Sequence, residues 1–316
     1  MIAFGPVPSR RLGKSLGINN IPPKICTYSC VYCQLGGTKK MRFERRVFYD
    51  PENILRAVKD KVGKTREKGG SIDYLTFVAD GEPTLDINLG RVIDQLKPLG
   101  FKTAVITNAS LIWQEDVREN LMKADWVSLK IDATREDIWR RINRPYGALQ
   151  LASILDGMLE FAKDYSGELV TETMLVKGLN DSEALLREIA GFLDRLRPTR
   201  AYLAVPTRPP AEAWAQPPSE EIISRAYHIF NDRIDRVEYL MGYEGNSFAF
   251  TGNVEKDLLS ITAVHPMREE AMGDFLARAG ADWSVIENLI ERGQLIETKY
   301  KGRCFYLRKL RAKHVG

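Results

Sequence analysis

The chain has 316 residues, 44% of them hydrophobic and 28% charged, with a formal net charge of +4. These values exclude a disordered or fibrous chain and leave room for one large domain with a smaller one attached. No apolar run reaches the ~18 residues of a membrane-spanning helix, and the opening MIAFGPVPSRRLG lacks the apolar stretch of a secretory signal, so a cytoplasmic protein is expected.

The first motif is GPVPSRRLG, residues 5–13, where Arg10 and Arg11 follow Ser9. Paired arginines suit a phosphate or carboxylate, and they serve equally well to cap strand ends. SLGINNI (15–21) is the first predicted strand, and Pro22 and Pro23 end it. A cysteine-bearing loop and a basic cluster, Lys39, Lys40, Arg42, Arg45 and Arg46, come next. From there to about residue 215, short β-branched runs alternate with longer amphipathic stretches. Strands are predicted at 73–80, 102–109, 126–133, 169–176 and 201–206. Helices are predicted at 51–68, 87–99, 114–124, 149–165 and 181–197. Such alternation implies βαβ units around a parallel sheet, an α/β fold. Six units are too few for a closed eight-fold barrel and enough for an open, partial one. A proline-rich loop over 207–221 and a helix over 219–234 complete this part.

After about Thr251 the alternation stops. Helices are predicted at 267–280 and 282–293, then a hairpin over 294–310 that turns at Lys301-Gly302. Two helices and a basic hairpin resemble a winged helix, a variant of the helix-turn-helix. The expected division is therefore 1–250 and 251–316. From Thr298 onward the chain carries Lys299, Lys301, Arg303, Arg308, Lys309, Arg311 and Lys313 and no acidic residue. The second predicted helix carries Asp282, Glu287 and Glu291 against one Arg292. Phosphates are repelled by such a helix, so DNA reading is disfavoured.

Three of the four cysteines, Cys26, Cys30 and Cys33, lie in ICTYSCVYCQ. In reducing cytosol, clustered thiols bind metal or act in catalysis more often than they form disulfides. Structural zinc wants a fourth Cys or His close by. The first histidine is His228, and Cys304 lies in the predicted hairpin, where a lone cysteine is commonly an apolar filler. Three thiolates from one loop suit a [4Fe–4S] cluster with one iron left open; structural zinc and chance are the alternatives. Polar residues gather at the strand ends that follow, where a βα-barrel keeps its site. Asp80-Gly81-Glu82-Pro83 ends the second predicted strand and Thr107 and Asn108 the third. Ser128, Lys130 and Asp132 alternate along one face of the fourth. The bland alternatives are a turn for DGEP and an internal Lys130–Asp132 ion pair.

The spacing C-x3-C-x2-C, with the aromatic Tyr32 before the last cysteine, resembles the signature of radical S-adenosylmethionine (SAM) enzymes. The resemblance implies a partial (βα)6 TIM-like barrel, with the winged-helix-like segment as a C-terminal addition. It implies a [4Fe–4S] cluster on Cys26, Cys30 and Cys33, with S-adenosylmethionine chelating the open iron. An electron donor, flavodoxin or ferredoxin, would drive cleavage of that cofactor to a 5′-deoxyadenosyl radical, which takes hydrogen from a substrate. By the same resemblance, Gly81 and Glu82 hold the methionyl amine. Thr107, Asn108, Ser128, Lys130 and Asp132 meet the ribose and the methionyl carboxylate, and Tyr32 packs beside the cluster and adenine. Over about residues 1–250, and most individually in GPVPSRRLG, the chain is similar to the Fe–S oxidoreductases related to the wyosine-forming tRNA enzyme. That likeness puts Ser9, Arg10 and Arg11 near the cluster or the substrate. The chain lacks the flavodoxin-like domain and the extra cysteine cluster of those relatives, so a tRNA base and a small metabolite both stand as substrates. Cys304, Tyr146 and Tyr202 stand as hydrogen donors to a substrate radical. The competing reading is an iron–sulfur redox sensor whose tail binds nucleic acid or a partner protein. A sensor has no need of polar sets at successive strand ends, so an enzyme is expected.

Overall fold

The computed structural model of the chain describes residues 1–38, 40–78, 80–240, 248, 250–264 and 266–309. The chain starts as an antiparallel hairpin, β1 (Ala3–Ser9) and β2 (Gly13–Ile18). Pro6 and Pro8 are tolerated in β1 because it is the edge of its sheet. Next come two short strands, β3 (Ile25–Cys26) and β4 (Lys40–Met41), which pair in parallel and bracket the cysteine loop. Helix α1 (Pro51–Glu67) follows; the Asp50 side chain accepts from Glu52 N, and Pro51 sits where its missing N–H costs nothing.

Strand and helix then alternate as the periodicity predicts. The strands are β5 (Tyr74–Phe77), β6 (Lys102–Thr107), β7 (Trp126–Lys130), β8 (Glu168–Met174) and β9 (Arg200–Ala204). The helices are α2 (Leu89–Leu96), α3 (Glu115–Leu121), α4 (Glu136–Asn143), α5 (Leu151–Asp164), α6 (Glu183–Leu196) and α7 (Glu220–Asn231), and β10 (Val237–Leu240) closes the series. The main sheet has eight strands in the order β1-β2-β5-β6-β7-β8-β9-β10, parallel from β2 onward. It curls into an open half-barrel, the partial TIM-like architecture that the six repeats predict. The added strands β1 and β10 and the helix α4 are not foreseen in the sequence pattern. β1 is broken by prolines, and β10 and α4 are too short to show a period.

Successive residues of the parallel strands serve two cores. Val105, Val127, Leu129, Leu169 and Leu203 pack with helix residues such as Ile54, Ile93 and Phe161. Ala104, Trp126, Val170 and Tyr202 pack with Leu12 inside the curl. Each fully buried apolar side chain contributes about 1.5–3 kcal/mol. The inner set also fills the lower barrel, which leaves the upper end for polar groups.

The remaining elements are α8 (Val254–Val264), β11 (Met267–Arg268), α9 (Glu269–Ala279), α10 (Ser284–Glu291), β12 (Leu295–Tyr300) and β13 (Arg303–Arg308). They build a three-stranded sheet, β11-β13-β12, over a core of its own that includes Leu258, Ile261, Phe275, Leu289 and Tyr306. Lys301 and Gly302 turn the hairpin with φ of 51° and 72°, the left-handed pair that a tight hairpin turn requires. This part leans on the barrel. Val7 of β1 packs against its core. Lys61 Nζ on α1 lies 2.9 Å from Asp257 Oδ1, and Tyr300 Oη donates to the Pro206 carbonyl at 3.2 Å. Of the predicted basic residues, Lys39, Arg311 and Lys313 fall outside the described set.

Candidate active site

Cys26, Cys30 and Cys33 line one cavity of about 340 Å³ at the upper end of the barrel. The loop is shaped by α4. Val31 N donates to the Ile142 carbonyl at 2.9 Å, and Trp139 Nε1 donates to Tyr28 Oη at 3.1 Å. Local turns close it further: Cys33 N donates to the Cys30 carbonyl and Gly36 N to the Cys33 carbonyl, each at 3.1 Å. Two asparagine amides approach the sulfurs. Asn108 Nδ2 lies 3.5 Å from Cys26 Sγ, and Asn143 Nδ2 lies 3.5 Å from Cys30 Sγ. Burial pushes the Cys26 thiol well above its ordinary range and the Cys30 thiol up to about 12. Three thiolates in this cavity therefore need a cationic centre between them. Among the described residues, no three His, Cys, Asp or Glu side chains are grouped tightly enough to hold a single metal ion.

Gly81 and Glu82 sit under the first cysteine. Glu82 N donates to the Ile25 carbonyl at 3.1 Å, and a Cβ at position 81 would fall 1.8 Å from that same oxygen. Glycine is required so that the strand end and the cysteine loop can touch. The Glu82 carboxylate is buried and already has four donors. Thr84 Oγ1 and Thr107 Oγ1 lie at 2.6 Å, Asn108 N at 2.8 Å and Thr84 N at 3.0 Å. It ties the end of β6 to the segment after β5. Desolvation pushes its pKa up, and these bonds pull it back. Asp80 is different. It is 3% exposed and lines the cavity, and its Oδ1 has no hydrogen-bond partner among the described residues. Burial lifts its pKa to about 7 against the pull of the terminal amine and Arg308.

Asn108 also lines the cavity, and its amide donates to Thr27 Oγ1 at 2.8 Å, which holds the residue after Cys26. Tyr32 lines it too, with the Lys130 ammonium 4.9 Å from its ring centre. Ser128 and Asp132 do not reach the cavity wall. Ser128 is buried beneath Lys130 on β7. Asp132 is drawn behind Tyr32, whose hydroxyl donates to it, while Asn143 Nδ2 and Met174 N donate at 2.7 and 2.8 Å. Lys130 pairs with Glu172 of β8, its register partner, rather than with Asp132. Arg11 Nη1 reaches the same Glu172 at 2.5 Å from the β1–β2 turn. Arg10 lines the cavity as well, and Ser9 Oγ accepts from Leu12 N at 3.3 Å within the turn. Of the candidate hydrogen donors, Tyr202 lies in the inner core, Tyr146 stacks on Phe43 at 4.8 Å, and Cys304 stands on β13 with its sulfur 3.4 Å from Glu297 Oε1. None of the three lines the cavity.

Sequence reasoning missed Asn143 and Glu172. Asn143 ends a short helix with no readable period. Glu172 had a signal: it shares a strand face with Val170 and Met174, an acid at a position that should point inward.

Residues 20–189 match the family model described as "Radical SAM superfamily". The chain is 48% identical over 314 residues to a UPF0026 protein of Methanocaldococcus jannaschii, covering 99% of this chain and 97% of that one. Among solved structures, TYW1 with a lysine-pyruvate adduct bound superposes with a TM-score of 0.53 at 18% identity, over 70% of this chain and 74% of that one. Streptococcus suis SuiB bound to S-adenosylmethionine gives 0.53 at 14% identity, over 73% and 53%. At these identities the two structures share the fold with this chain.

Proposed function

The chain belongs to the radical SAM superfamily, and from that premise we propose that Cys26, Cys30 and Cys33 hold three irons of its [4Fe–4S] cluster and leave the fourth to S-adenosylmethionine. The observation that carries this is the cavity itself: three half-buried thiols from one loop share it with the ends of β5, β6 and β7 and with no fourth thiol among the described residues. The donor set fits the group, because three cysteine sulfurs from one loop face one cavity and two asparagine amides approach them, as cluster thiolates require. When bound and reduced, the cluster supplies the electron that cleaves S-adenosylmethionine to a 5′-deoxyadenosyl radical, which takes hydrogen from the substrate.

The chain's residues then have separable roles. Asn108 and Asn143 donate to Cys26 and Cys30 and hold the thiolates in place. Gly81 and Glu82 bring the strand end against the cysteine loop, and the unpartnered Asp80 oxygen is the acceptor left for the methionyl amine. Asn108 and Lys130 line the part of the cavity that would meet ribose and carboxylate, with Tyr32 beside them. Ser128 and Asp132 support Lys130 and Tyr32 from behind. A flavodoxin or ferredoxin would deliver the electron. The barrel, 1–250, and the tail, 251–316, are read as two domains, the second winged-helix-like; its helix, strand, helix, helix and hairpin order supports this. The acidic Glu287 and Glu291 on α10 favour substrate or partner docking over DNA reading. The substrate is a small metabolite or a tRNA base.

The test is anaerobic. The protein is reconstituted with iron and sulfide, reduced, and given S-adenosylmethionine. The expected result is 5′-deoxyadenosine, with a cluster EPR signal that changes when the cofactor is added. A cluster that forms but neither shifts nor cleaves would overturn the assignment.

A further inference from the structure

We infer that the tip of the β12–β13 hairpin, which carries Lys299, Lys301 and Arg303, is a docking surface for single-stranded RNA, and that the reaction proposed above acts on a base of that RNA. This assigns a substrate class to the cavity and rests on that reading of it.

The tip stands at the cavity rim. Tyr300 Oη donates to the Pro206 carbonyl at 3.2 Å, and Pro206, Thr207 and Arg208 line the cavity. Arg303 is the register partner of Tyr300 on β13, and the Lys301 ammonium lies 5.8 Å from the centre of the Tyr300 ring. Lys299, Lys301 and Arg303 are exposed, and none of them joins an ion pair among the described residues. The one acid of the hairpin, Glu297, faces Cys304 Sγ at 3.4 Å and Tyr306 Oη at 3.3 Å instead. On α4 and α6, by contrast, Arg140 pairs with Glu136 and Arg187 with Glu183, each at 2.7 Å. Three neighbouring cations left unpaired raise a positive potential over this corner of the mouth, which a polyanion answers.

The position of these cations selects the size of the ligand. None of the three lines the cavity, so a small metabolite held wholly inside would not meet them. A polymer puts one unit into the cavity and leaves its backbone outside, where the cations are. The composition of the tip selects nucleic acid over protein. A protein interface wants an apolar or aromatic anchor at its centre, and the exposed large apolar residue of this hairpin, Ile296, lies at its far end. Lysine and arginine beside a half-buried tyrosine ring suit a phosphate backbone and a stacked base. The strand is single because a base inside a duplex cannot reach a recessed cavity without leaving its stack. RNA offers such unstacked bases in loops and at ends, and Glu287 and Glu291 on α10 oppose the phosphates of duplex DNA.

The test uses cluster-loaded wild-type protein and a fluorescein-labelled oligouridylate, followed by anisotropy at rising salt. Binding is expected, weakening about twentyfold from roughly 50 to 200 mM salt, since each of three phosphate contacts adds about −0.7 to the logarithmic salt slope of a single strand. Lys299→Gln/Lys301→Gln/Arg303→Gln should weaken binding at low salt by about tenfold or more and remove about two from that slope. A control with the same loss of charge at exposed lysines of α1 and the start of β6, Lys59→Gln/Lys64→Gln/Lys102→Gln, should keep most of both. No binding to the wild type, or equal effects of the two triple variants, overturns the surface. Duplex DNA or polyglutamate that displaces the oligouridylate at equal charge overturns RNA as its occupant. Wild-type protein is assayed in parallel for 5′-deoxyadenosine without RNA. Cleavage without RNA binding removes only the docking surface, and RNA binding without cleavage removes the radical assignment and leaves the surface standing.

Discussion

The loop after β2 and the hairpin of β12 and β13 both carry cysteine on a short strand, Cys26 on β3 and Cys304 on β13. Their surroundings differ. Around Cys26 the loop is pinned from several sides: Asn108 and Tyr28 N approach the sulfur, Gly81 lies under the Ile25 carbonyl, and α4 backs the next turn. Around Cys304 there is Glu297 on the neighbouring strand and a partly packed edge of the second core. Chemistry at a thiol depends on converging partners, and the barrel mouth has them while the hairpin does not. The largest effect is therefore expected at the mouth. Cys30→Ala should abolish both the cluster and all cleavage of S-adenosylmethionine, read as iron content and 5′-deoxyadenosine. A Cys30→Ala protein that still cleaves would remove the distinction between the two regions.

The next effect sharpens what "pinned" means. Gly81→Ala puts a methyl where 1.8 Å separates it from the Ile25 carbonyl, so β3 must move. Overpacking of this kind costs about 1–3 kcal/mol, and here it also displaces Cys26. Lower denaturation midpoint and lower iron content are expected together. Normal iron loading in that variant would mean that the loop tolerates movement and is not held as described.

Glu82→Gln separates scaffold from ligand contact. Four donors converge on the Glu82 carboxylate. A glutamine presents an N–H₂ to some of them, which leaves buried donors facing a donor and costs about 1–3 kcal/mol. Urea unfolding should show that loss without any cofactor present. If stability holds and only cofactor binding falls, Glu82 is a contact of the cofactor rather than a strut.

How much of this contrast could be read from sequence differs by level. The parallel strands were legible because strands buried on both faces read as short β-branched runs, and the helices between them because each buries one face. The three thiols were legible from spacing. The strand-end acids were legible as a group, but their individual roles were not. DGEP presents Asp80 and Glu82 equally, and only the folded neighbours make one an orphan and the other a saturated strut. The Lys130–Glu172–Arg11 trio joins residues 161 positions apart, and no local pattern encodes such a partner. In the tail, the turn at Lys301-Gly302 was legible because a glycine beside a polar residue suits positive φ. How the tail meets the barrel, at Val7, Lys61 and Pro206, was not.

Asp80 gives a smaller effect with a definite sign. Its folded pKa of about 7 lies above its ordinary 3.8, so the folded protein without ligand disfavours the anion. Stability at this group is therefore full below about pH 4, falls as pH rises from 4 to 7, and stays reduced above that. Each unit is worth about 1.4 kcal/mol, but water entering an open cavity trims the sum to about 1–2 kcal/mol. Asp80→Asn should flatten that part of the stability-against-pH curve and raise stability at pH 8. An unchanged curve would mean that the orphan oxygen is hydrated and carries no strain.

The smallest effect closes the contrast at the hairpin. Cys304→Ala removes a sulfur that is half-exposed, accepts no protein donor among the described hydrogen bonds and does not line the cavity. Its contact with Glu297 is a weak thiol donation that water replaces. The melting temperature should stay within about 1–2 °C, the scale of a surface substitution in a chain of this size. Iron content and cleavage should match the wild type. A Cys304→Ala protein with half the iron would instead bring the hairpin to the cluster, and the open fourth iron on which the proposed chemistry rests would be closed by the tail.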